Sequence, residues 1–299
     1  MAARADFPYL HSRALDQQTG ENLRRIAEDR SRILSGARLN IGEEELTLRL
    51  RLPLIPGDSS AERDVALTLR RDLAPASVDT IVEIFRDEAH AAISGFRGEE
   101  PGTIVDLGAN EGFYTLRMKL LSPESRIVAV EPLREHVELL KKNLESNGLT
   151  GVETEEAAVT SIRAGSVGPQ AHTDATGRDT LTLETYPHVG TIASADLAAF
   201  PRPWIDPDRI SRRIVPATTL GRLVRSYAIE PPAVLKLDVE GSEAAILTDD
   251  RRALDPFDRV VVEVHGEGSR ERVTELLMGE GFHLIHAEEK RSGDLFWRR

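Results

Sequence analysis

The sequence lacks cysteine altogether, has only 5% aromatic residues and contains no long apolar run. The absence of cysteine excludes disulfides, thiolate metal sites and cysteine nucleophiles. No stretch approaches the roughly 18 consecutive apolar residues of a membrane-spanning helix, so we expect no membrane association. The amino-terminal stretch MAARADFPYLHSR is charged and has no apolar signal core, which, together with the missing cysteines, predicts a cytoplasmic protein.

Basic residues are outnumbered, with 38 Lys and Arg against 50 Asp and Glu and a net charge of −12. Such a field repels nucleic acids unless a local basic patch overrides it. The pairs Arg212-Arg213 and Arg251-Arg252 are too short for such a patch, so we expect no nucleic-acid partner. The 299 residues, 40% of them hydrophobic, suffice for one large α/β domain with an appendage.

Residues 1–98 predict a mainly helical amino-terminal extension, which would serve as a cap or in oligomerisation. Apolar residues recur at helical spacing over 21–35 and 77–93. Between these segments, leucines from Leu46 to Leu54 alternate with other residues, as expected of a half-buried strand. The apolar faces of this strand and of the second helix predict a homodimer interface.

Residues 99–299 predict a doubly wound α/β domain. Strands are expected at 103–108, 126–132, 152–159, 233–241, 259–266, 282–289 and 294–299. They alternate with helical patterns over 113–121 and 133–148, after Ser242 and near Arg270. This alternation is typical of a mostly parallel sheet covered by helices on both faces. A short link, KRSG, separates the last two strands, which predicts an antiparallel hairpin at the sheet edge.

The strand–helix pattern fails within an insertion at residues 160–215. The segment is polar and glycine-rich at its start and concentrates prolines around Trp204. A segment of this length inside a compact domain is typical of a lid, a binding loop or a disordered region, and we expect a lid over the acceptor. Some of its side chains either contact the substrate or pack on the surface: His172, Tyr186, His188 and Trp204.

The loop DLGANEG at 106–112 joins the first strand of the domain to a helix. Gly108 and Gly112 let the backbone turn sharply and approach a ligand closely. Glu131 ends the next strand, where an acid can accept hydrogen bonds from both ribose hydroxyls. The loop lacks the dinucleotide pattern GxGxxG, and Asp106 would repel a pyrophosphate but suits an ammonium group. These residues predict S-adenosylmethionine as the cofactor and disfavour a nicotinamide dehydrogenase.

Six segments resemble the FkbM-type S-adenosylmethionine-dependent methyltransferases: TIVDLGANEGFYTL, RIVAVEP, LKKNLESNGL, EEAAV, LKLDVEGSE and VVVEVHG. The resemblance covers residues 101–265 and, more loosely, 266–299. It implies the seven-stranded, Rossmann-like methyltransferase fold and O-methylation of small molecules, including polyketide, glycopeptide-like and sugar hydroxyls. The sequence departs from the family pattern Thr-Thr-Leu-Asp at one point, because Gly221 follows Thr218-Thr219-Leu220.

The loop, the acid at the end of the second strand and the resemblance together assign the cofactor-binding residues. They are Asp106, Gly108, Ala109, Asn110, Gly112, Phe113, Glu131, Pro132, Glu156, Ala157, Ala158 and Asp238.

The second half of the site is expected where strand order reverses, between the strands that end near Asp106 and Asp238. Glu240 follows on the turn, and Glu263 and His265 lie on one side of the next strand. We predict Asp238, Glu240, Glu263 and His265 as catalytic residues, with His265 as general base. Alternatively, Asp238, Glu263 and His265 would hold Mg²⁺, and we favour the direct base over this metal site.

Structural roles are the competing interpretation of several of these residues. Lys236 and Glu263 would then form buried ion pairs, and Glu240 would complement the dipole of the helix that follows. For Glu243 we favour this helix-terminal role.

The sequence therefore predicts an S-adenosylmethionine-dependent O-methyltransferase acting on a small-molecule hydroxyl, in secondary-metabolite or sugar chemistry. Two other functions stay open. An N-methyltransferase on the same scaffold would need no strong base, and a cofactor-binding module without turnover would bind the cofactor and transfer nothing.

Overall fold

The computed structural model describes residues 7–34, 42, 44–55, 58–87, 93, 96, 102–161, 171–185, 210–265, 268–288 and 293–299. The predictions for Tyr186, His188 and Trp204 lie outside these ranges. Within the described ranges, no helix combines the length and the apolar character needed to cross a bilayer.

The amino-terminal extension contains helices and a two-stranded antiparallel hairpin. Its elements are α1 (Phe7–Arg13), α2 (Gln17–Leu34), β1 (Glu45–Pro53), β2 (Glu62–Arg70) and α3 (Ala74–Val82), which continues as a π turn over Glu83–Asp87. The two predicted helices and the predicted strand are present. The partner strand β2 was not predicted, and it pairs with β1 along the whole length of both strands.

One face of β1 is apolar and is buried within the chain itself. Leu46, Leu48, Leu50 and Leu52 alternate with exposed residues and are almost fully buried. They belong to one core cluster with residues of α1, α2 and α3. The apolar alternation that suggested a homodimer face is therefore satisfied without a second copy.

Beyond residue 102 the chain forms five helices and eleven strands among its described residues. The helices are α4 (Phe113–Leu121), α5 (Arg134–Ser146), α6 (Leu220–Ser226), α7 (Glu243–Asp249) and α8 (Ser269–Gly279). The strands are β3 (Thr103–Leu107), β4 (Arg126–Val130), β5 (Val152–Glu155), β6 (Ala158–Val159), β7 (His172–Thr173), β8 (Asp179–Thr185), β9 (Ser211–Thr218), β10 (Ala233–Leu237), β11 (Phe257–Val264), β12 (His283–Ala287) and β13 (Gly293–Arg298).

Seven of these strands form the main sheet, in the order β12-β13-β11-β10-β3-β4-β5. The pairs from β11 to β5 are parallel, whereas β13 runs antiparallel to both of its neighbours. This confirms the predicted doubly wound, mostly parallel sheet with an antiparallel hairpin at its edge. The strand order reverses between β3 and β10, so a crevice opens at their carboxyl ends.

Successive residues of the central strands face opposite sides of the sheet. Ile104 and Val234 belong to the core cluster that contains α4, whereas Val105 and Leu235 belong to the cluster that contains α6, α7 and α8. This period of two is the pattern of a strand buried on both faces. It also places Asp106, two residues after Ile104, on the side of α4.

The amino-terminal extension is joined to the main domain by buried hydrogen bonds. Asn143 of α5 accepts the backbone N–H of Thr68 with its Oδ1 at 2.7 Å, and the Asn147 amide contacts the backbone N and O of Ala66. Arg117 of α4 donates to the carbonyl oxygen of Leu54 at 2.8 Å, and burial lowers the pKa of this guanidinium to about 10. The extension thus shares its core and its polar contacts with the main domain.

The described part of the insertion is β structure. Strands β7, β8 and β9 form a second sheet with β6, in the order β6-β9-β8-β7. The inner face of this sheet buries Leu181, Leu183 and Val215 against Leu133 and Ala158. These residues of the insertion are therefore ordered by an apolar face that packs on the ends of β4 and β5.

Candidate active site

A cavity lies at the carboxyl ends of β3, β4 and β10. Most of the predicted cofactor residues line it: Gly108, Asn110, Glu131, Pro132, Ala157, Ala158 and Asp238. Glu240, predicted as catalytic, lines it as well. The prediction missed other wall residues: Val130, His136, Val159, Leu181, Leu183, Val239 and Ser242. The structure thus brings the loop DLGANEG, the end of β4 and the end of β10 around one space.

The glycine loop is shaped by two close approaches of the backbone. Gly108 has φ +81°, and a Cβ there would lie 1.8 Å from the carbonyl oxygen of Asp238. Gly112 has φ +82°, and a Cβ there would lie 2.6 Å from Leu140 Cγ. Only glycine meets both demands, because a side chain would be strained by the backbone angle and would collide with its neighbour.

Glu131 is held at the cavity wall by two backbone amides. Its Oε2 accepts the N–H of Asn110 and its Oε1 accepts the N–H of Leu133, both at 3.0 Å. Each carboxylate oxygen has a second lone pair, so the group can still accept hydrogen bonds from a ligand. The geometry is compatible with the predicted contact to ribose hydroxyls.

His136 lies beside Glu131, although the sequence analysis assigned it no role. Its Nδ1 is 3.5 Å from Glu131 Oε1, and the side chain is buried. Burial lowers the pKa of His136, but the hydrogen bond to Glu131 and the negative charge of Glu111 outweigh this effect and raise it. The sequence signal was its place in the first turn of α5, directly after the strand that carries Glu131.

Asp106 is fully buried and does not line the cavity, so this geometry lends no support to its predicted contact with an ammonium group of the cofactor. Thr115 Oγ1 donates to Asp106 Oδ2 at 2.6 Å, and Lys236 Nζ lies 3.5 Å from Oδ1. Asp106 has these partners because side chains alternate along a strand, and this penultimate residue of β3 faces α4. Burial raises the pKa of this carboxyl, and the Lys236 ammonium partly opposes that effect.

Lys236 forms buried ion pairs, as the structural interpretation of this residue predicted. Asp106 and Lys236 are direct neighbours across β3 and β10. The Lys236 ammonium is also 3.2 Å from Asp238 Oδ2. One buried lysine therefore links the first strand of the domain to the acid at the edge of the crevice.

Four other predicted cofactor residues also lie off the cavity wall. Ala109, Gly112 and Phe113 are buried in the packing of α4 and α5, and Glu156 is exposed to solvent. Ala109, Gly112 and Phe113 belong to the loop or to the start of α4, whereas Glu156 lies between β5 and β6.

The predicted catalytic residues converge at the ends of β10 and β11. Asp238, Glu263 and His265 each offer one atom within 4.8 Å of the other two. His265 Nε2 lies 3.5 Å from Glu263 Oε1 and 3.6 Å from Glu240 Oε2. Asp238, Glu263 and His265 thus lie together as expected, with Glu240 beside His265.

Glu243 belongs to the same group, which the sequence analysis did not foresee. Its Oε1 lies 2.8 Å from His265 Nδ1 and accepts the N–H of Gly241 at 2.9 Å. Glu243 is fully buried at the first position of α7. It therefore orients the imidazole in addition to lying at the helix terminus.

Negative charge dominates around His265. Burial lowers the pKa of this imidazole, but the carboxylates of Glu240, Glu243 and Glu263 outweigh burial and raise it well above its usual value. Asp294 lies opposite Glu263 on β13, and burial together with the nearby acids raises its pKa well above the usual range. The site is arranged to bind positive charge.

The departure from the family pattern at Gly221 has a local explanation. A Cβ at Gly221 would lie 2.6 Å from Asp250 Oδ2. In this chain a carboxylate from the end of α7 thus occupies the space beside that position. An acid added there would meet this like charge.

A family model described as the Methyltransferase FkbM domain matches residues 106–288, more than half of the 299 residues. The chain belongs to the FkbM methyltransferase family. The match begins at Asp106 and includes the glycine loop, Glu131, the insertion and the cluster around His265. Its fold and loop are those of an S-adenosylmethionine-dependent methyltransferase, as the sequence predicted.

Similar proteins include both fungal and bacterial ones. Methyltransferase sdnD of Sordaria araneosa is 28% identical over 207 residues, which are 64% of this chain and 78% of that protein. The AMB antimetabolite synthetase AmbE of Pseudomonas aeruginosa is 25% identical over 225 residues, 68% of this chain but 10% of that protein. The crystal structure of a methyltransferase FkbM from Methylobacillus flagellatus has a TM-score of 0.42 and 12% identity, and covers 98% of this chain and 58% of that chain.

Proposed function

We propose that this FkbM methyltransferase transfers the methyl group of S-adenosylmethionine to a hydroxyl group of a small molecule, in secondary-metabolite or sugar chemistry. The observation that carries the proposal is the placement of the acid–imidazole cluster directly beside the cofactor cavity, where Asp238 and Glu240 belong to both. A methyl acceptor at this junction would meet groups that can handle its proton.

The cofactor half of the site rests on the loop and on Glu131. Gly108 and Asn110 form one wall, Glu131 would accept ribose hydroxyls, and Ala157 and Ala158 leave room for a flat base. Asp238 and Glu240 also line the cavity, and the backbone of Asp238 lies directly beside Gly108. Their negative charge would stabilise the ammonium and sulfonium groups of the cofactor there.

The acceptor half would be formed with the insertion. Leu181 and Leu183 of β8 line the cavity opposite the glycine loop. Such an apolar wall suits a small organic acceptor, because burial of apolar surface supplies binding energy and a few polar groups orient the ligand. The net charge of −12 disfavours a nucleic-acid acceptor. We propose that the insertion closes over the acceptor and selects it.

Methyl transfer requires an oxygen aligned behind the activated methyl group and the loss of the hydroxyl proton. His265 as direct base was favoured from the sequence. The surrounding carboxylates outweigh burial and raise the pKa of His265, which works against that version because a general base must begin without the proton. The same carboxylates favour the second version, in which Asp238, Glu263 and His265 would hold a cation such as Mg²⁺.

The test is a transfer assay with isotopically labelled methyl donor and matched pairs of hydroxyl- and amine-bearing small molecules. We expect labelled product only from hydroxyl compounds, with the methyl group located on oxygen by fragmentation mass spectrometry. Methylation of the amines alone would establish the N-methyltransferase instead. Tight binding of S-adenosylhomocysteine without transfer to any acceptor would favour a binding module.

A further inference from the structure

We infer that Asp238, Glu263 and His265 form a binding site for a divalent first-row transition cation, of which Mn²⁺ is the representative. The inference rests on the proposed function, because the cation would hold the acceptor oxygen beside the methyl donor. It goes further in assigning the ligands, the kind of cation and a residue that orients one ligand.

The three ligands are brought together by the sheet itself. Asp238 follows β10, and Glu263 and His265 lie at the end of its parallel neighbour β11. One atom from each lies within 4.8 Å of the others. Around a small divalent cation with bonds of about 2.1 Å, opposite ligands are about 4.2 Å apart and adjacent ligands about 3.0 Å apart. Cation binding would therefore draw the three side chains together from separations of up to 4.8 Å.

The orientation of His265 is a second and independent observation. Glu243 Oε1 accepts from Nδ1 at 2.8 Å, which directs Nε2 into the space between Glu240 and Glu263. The distances from Nε2 to these carboxylates, 3.6 and 3.5 Å, are too long for good hydrogen bonds. A carboxylate behind one imidazole nitrogen with the other nitrogen left for a cation is the usual arrangement of a metal-binding histidine.

The donor set indicates which cation fits. Two carboxylate oxygens suit hard cations, while an imidazole nitrogen favours transition ions over Mg²⁺. Glu240, with its Oε2 3.6 Å from His265 Nε2, adds a further carboxylate beside the ligands. A site of one nitrogen and two charged oxygens, with Asp238 at the cavity wall, is thus better matched to Mn²⁺ than to Mg²⁺.

The cation would act on the acceptor by lowering the pKa of its hydroxyl. The hydroxyl oxygen then forms the bond to the methyl carbon, and the carbon–sulfur bond breaks with its electron pair going to sulfur. The hydroxyl proton leaves through Glu240, which lines the cavity and keeps about 30% of its side chain exposed. The products are the methyl ether and S-adenosylhomocysteine.

Binding of MnCl2 alone to chelator-stripped protein tests the site, with free Mn²⁺ measured by electron paramagnetic resonance. We expect one equivalent to bind, and MgCl2 to compete only at higher concentration. Glu263→Gln and His265→Ala should each weaken Mn²⁺ binding at least tenfold, and Glu243→Gln about tenfold. Glu275→Gln, on the exposed face of α8, is the matched control and should bind like wild type.

Absence of saturable Mn²⁺ binding to the wild type, or equal binding by Glu263→Gln and wild type, would overturn the inference. Calorimetry with S-adenosylhomocysteine on the same samples separates this failure from failure of the proposed function. Cofactor binding and hydroxyl methylation without any Mn²⁺ site would leave the function standing and remove the cation. A stoichiometric Mn²⁺ site in a protein that methylates no hydroxyl would support the cation site and contradict the proposed function.

Discussion

Glu243 and His265 form a buried pair, with Glu243 Oε1 2.8 Å from the imidazole Nδ1. The acid begins α7 and the histidine follows β11, so the contact joins two elements separated by 22 residues of chain. It determines that Nε2 is the imidazole nitrogen that faces Glu240 and Glu263. Glu131 likewise holds its neighbours, because its carboxylate accepts the backbone N–H groups of Asn110 and Leu133.

Glu131→Ala should weaken the binding of S-adenosylhomocysteine roughly tenfold or more. The change removes the proposed ribose contact and the acceptor of the Asn110 and Leu133 amides, and a charge-assisted hydrogen bond contributes about 1.5–3 kcal/mol. Isothermal titration calorimetry measures the effect. Glu156→Ala is the matched control, because Glu156 was predicted to bind cofactor but is exposed. Equal affinity of both variants would contradict the assignment of Glu131.

Gly108→Ala should abolish cofactor binding and destabilise the fold by several kcal/mol. Its Cβ would fall 1.8 Å from the Asp238 carbonyl oxygen, in addition to the strain of a positive φ. Gly177→Ala is the comparison, because Gly177 has φ +83° but nothing within 4 Å of the added Cβ. That variant should lose only about 1–2 kcal/mol of stability, which is the cost of the left-handed backbone conformation for alanine. Urea unfolding of both proteins measures the difference, and similar losses would argue against the close approach.

Leu183→Ala should impair transfer to the acceptor while leaving the affinity for S-adenosylhomocysteine within about twofold. The side chain is buried on the inner face of β8 and lines the cavity. Loss of its apolar contact should raise KM for the acceptor by roughly tenfold, since a buried leucine contributes about 1.5–3 kcal/mol. Ile214→Ala, on the neighbouring strand β9 and 75% exposed, serves as control. An unchanged KM in Leu183→Ala would exclude this part of the insertion from the acceptor site.

His136 should make stability depend on pH. Its pKa is raised in the folded protein, by Glu131, Glu111 and Glu135 against the opposing effect of burial. The stabilisation is therefore fully present below the unfolded pKa of about 6.5 and is lost as pH rises through the raised folded value. The free-energy gap between wild type and His136→Gln should be larger at about pH 6 than at about pH 9. His283→Gln, at an exposed position, is the control for the substitution itself.

The sequence predicted the parts of the molecule that depend on local patterns. Apolar runs with turn residues between them located the strands of the main sheet, and the DLGANEG loop with Glu131 located the cofactor half. The short link before β13 predicted the edge hairpin. In each case the determining forces act between residues close in the chain, so the pattern is visible without the fold.

Strand β2 was missed although Val65, Leu67 and Leu69 alternate along it and are buried, so this signal was local. Other features depended on contacts that the sequence order does not reveal. The role of His136 was missed because its neighbour Glu111 comes from a different loop. The dimer prediction for β1 had the right apolar face and the wrong partner, since α1 and α2 cover it.

By itself, the sequence determined that this protein has a methyltransferase sheet with a cofactor loop at the end of its first strand. Hydrophobic periodicity and the sharp turn of a glycine loop are local properties, whereas the close approach of Asp238 to Gly108 comes from a distant part of the chain. The tertiary structure decided which acids face the cavity. It turned Asp106 toward Lys236 and placed Glu243 behind His265. The orientation of a side chain at a strand end depends on what packs on each face of the sheet, and only the folded chain supplies those neighbours.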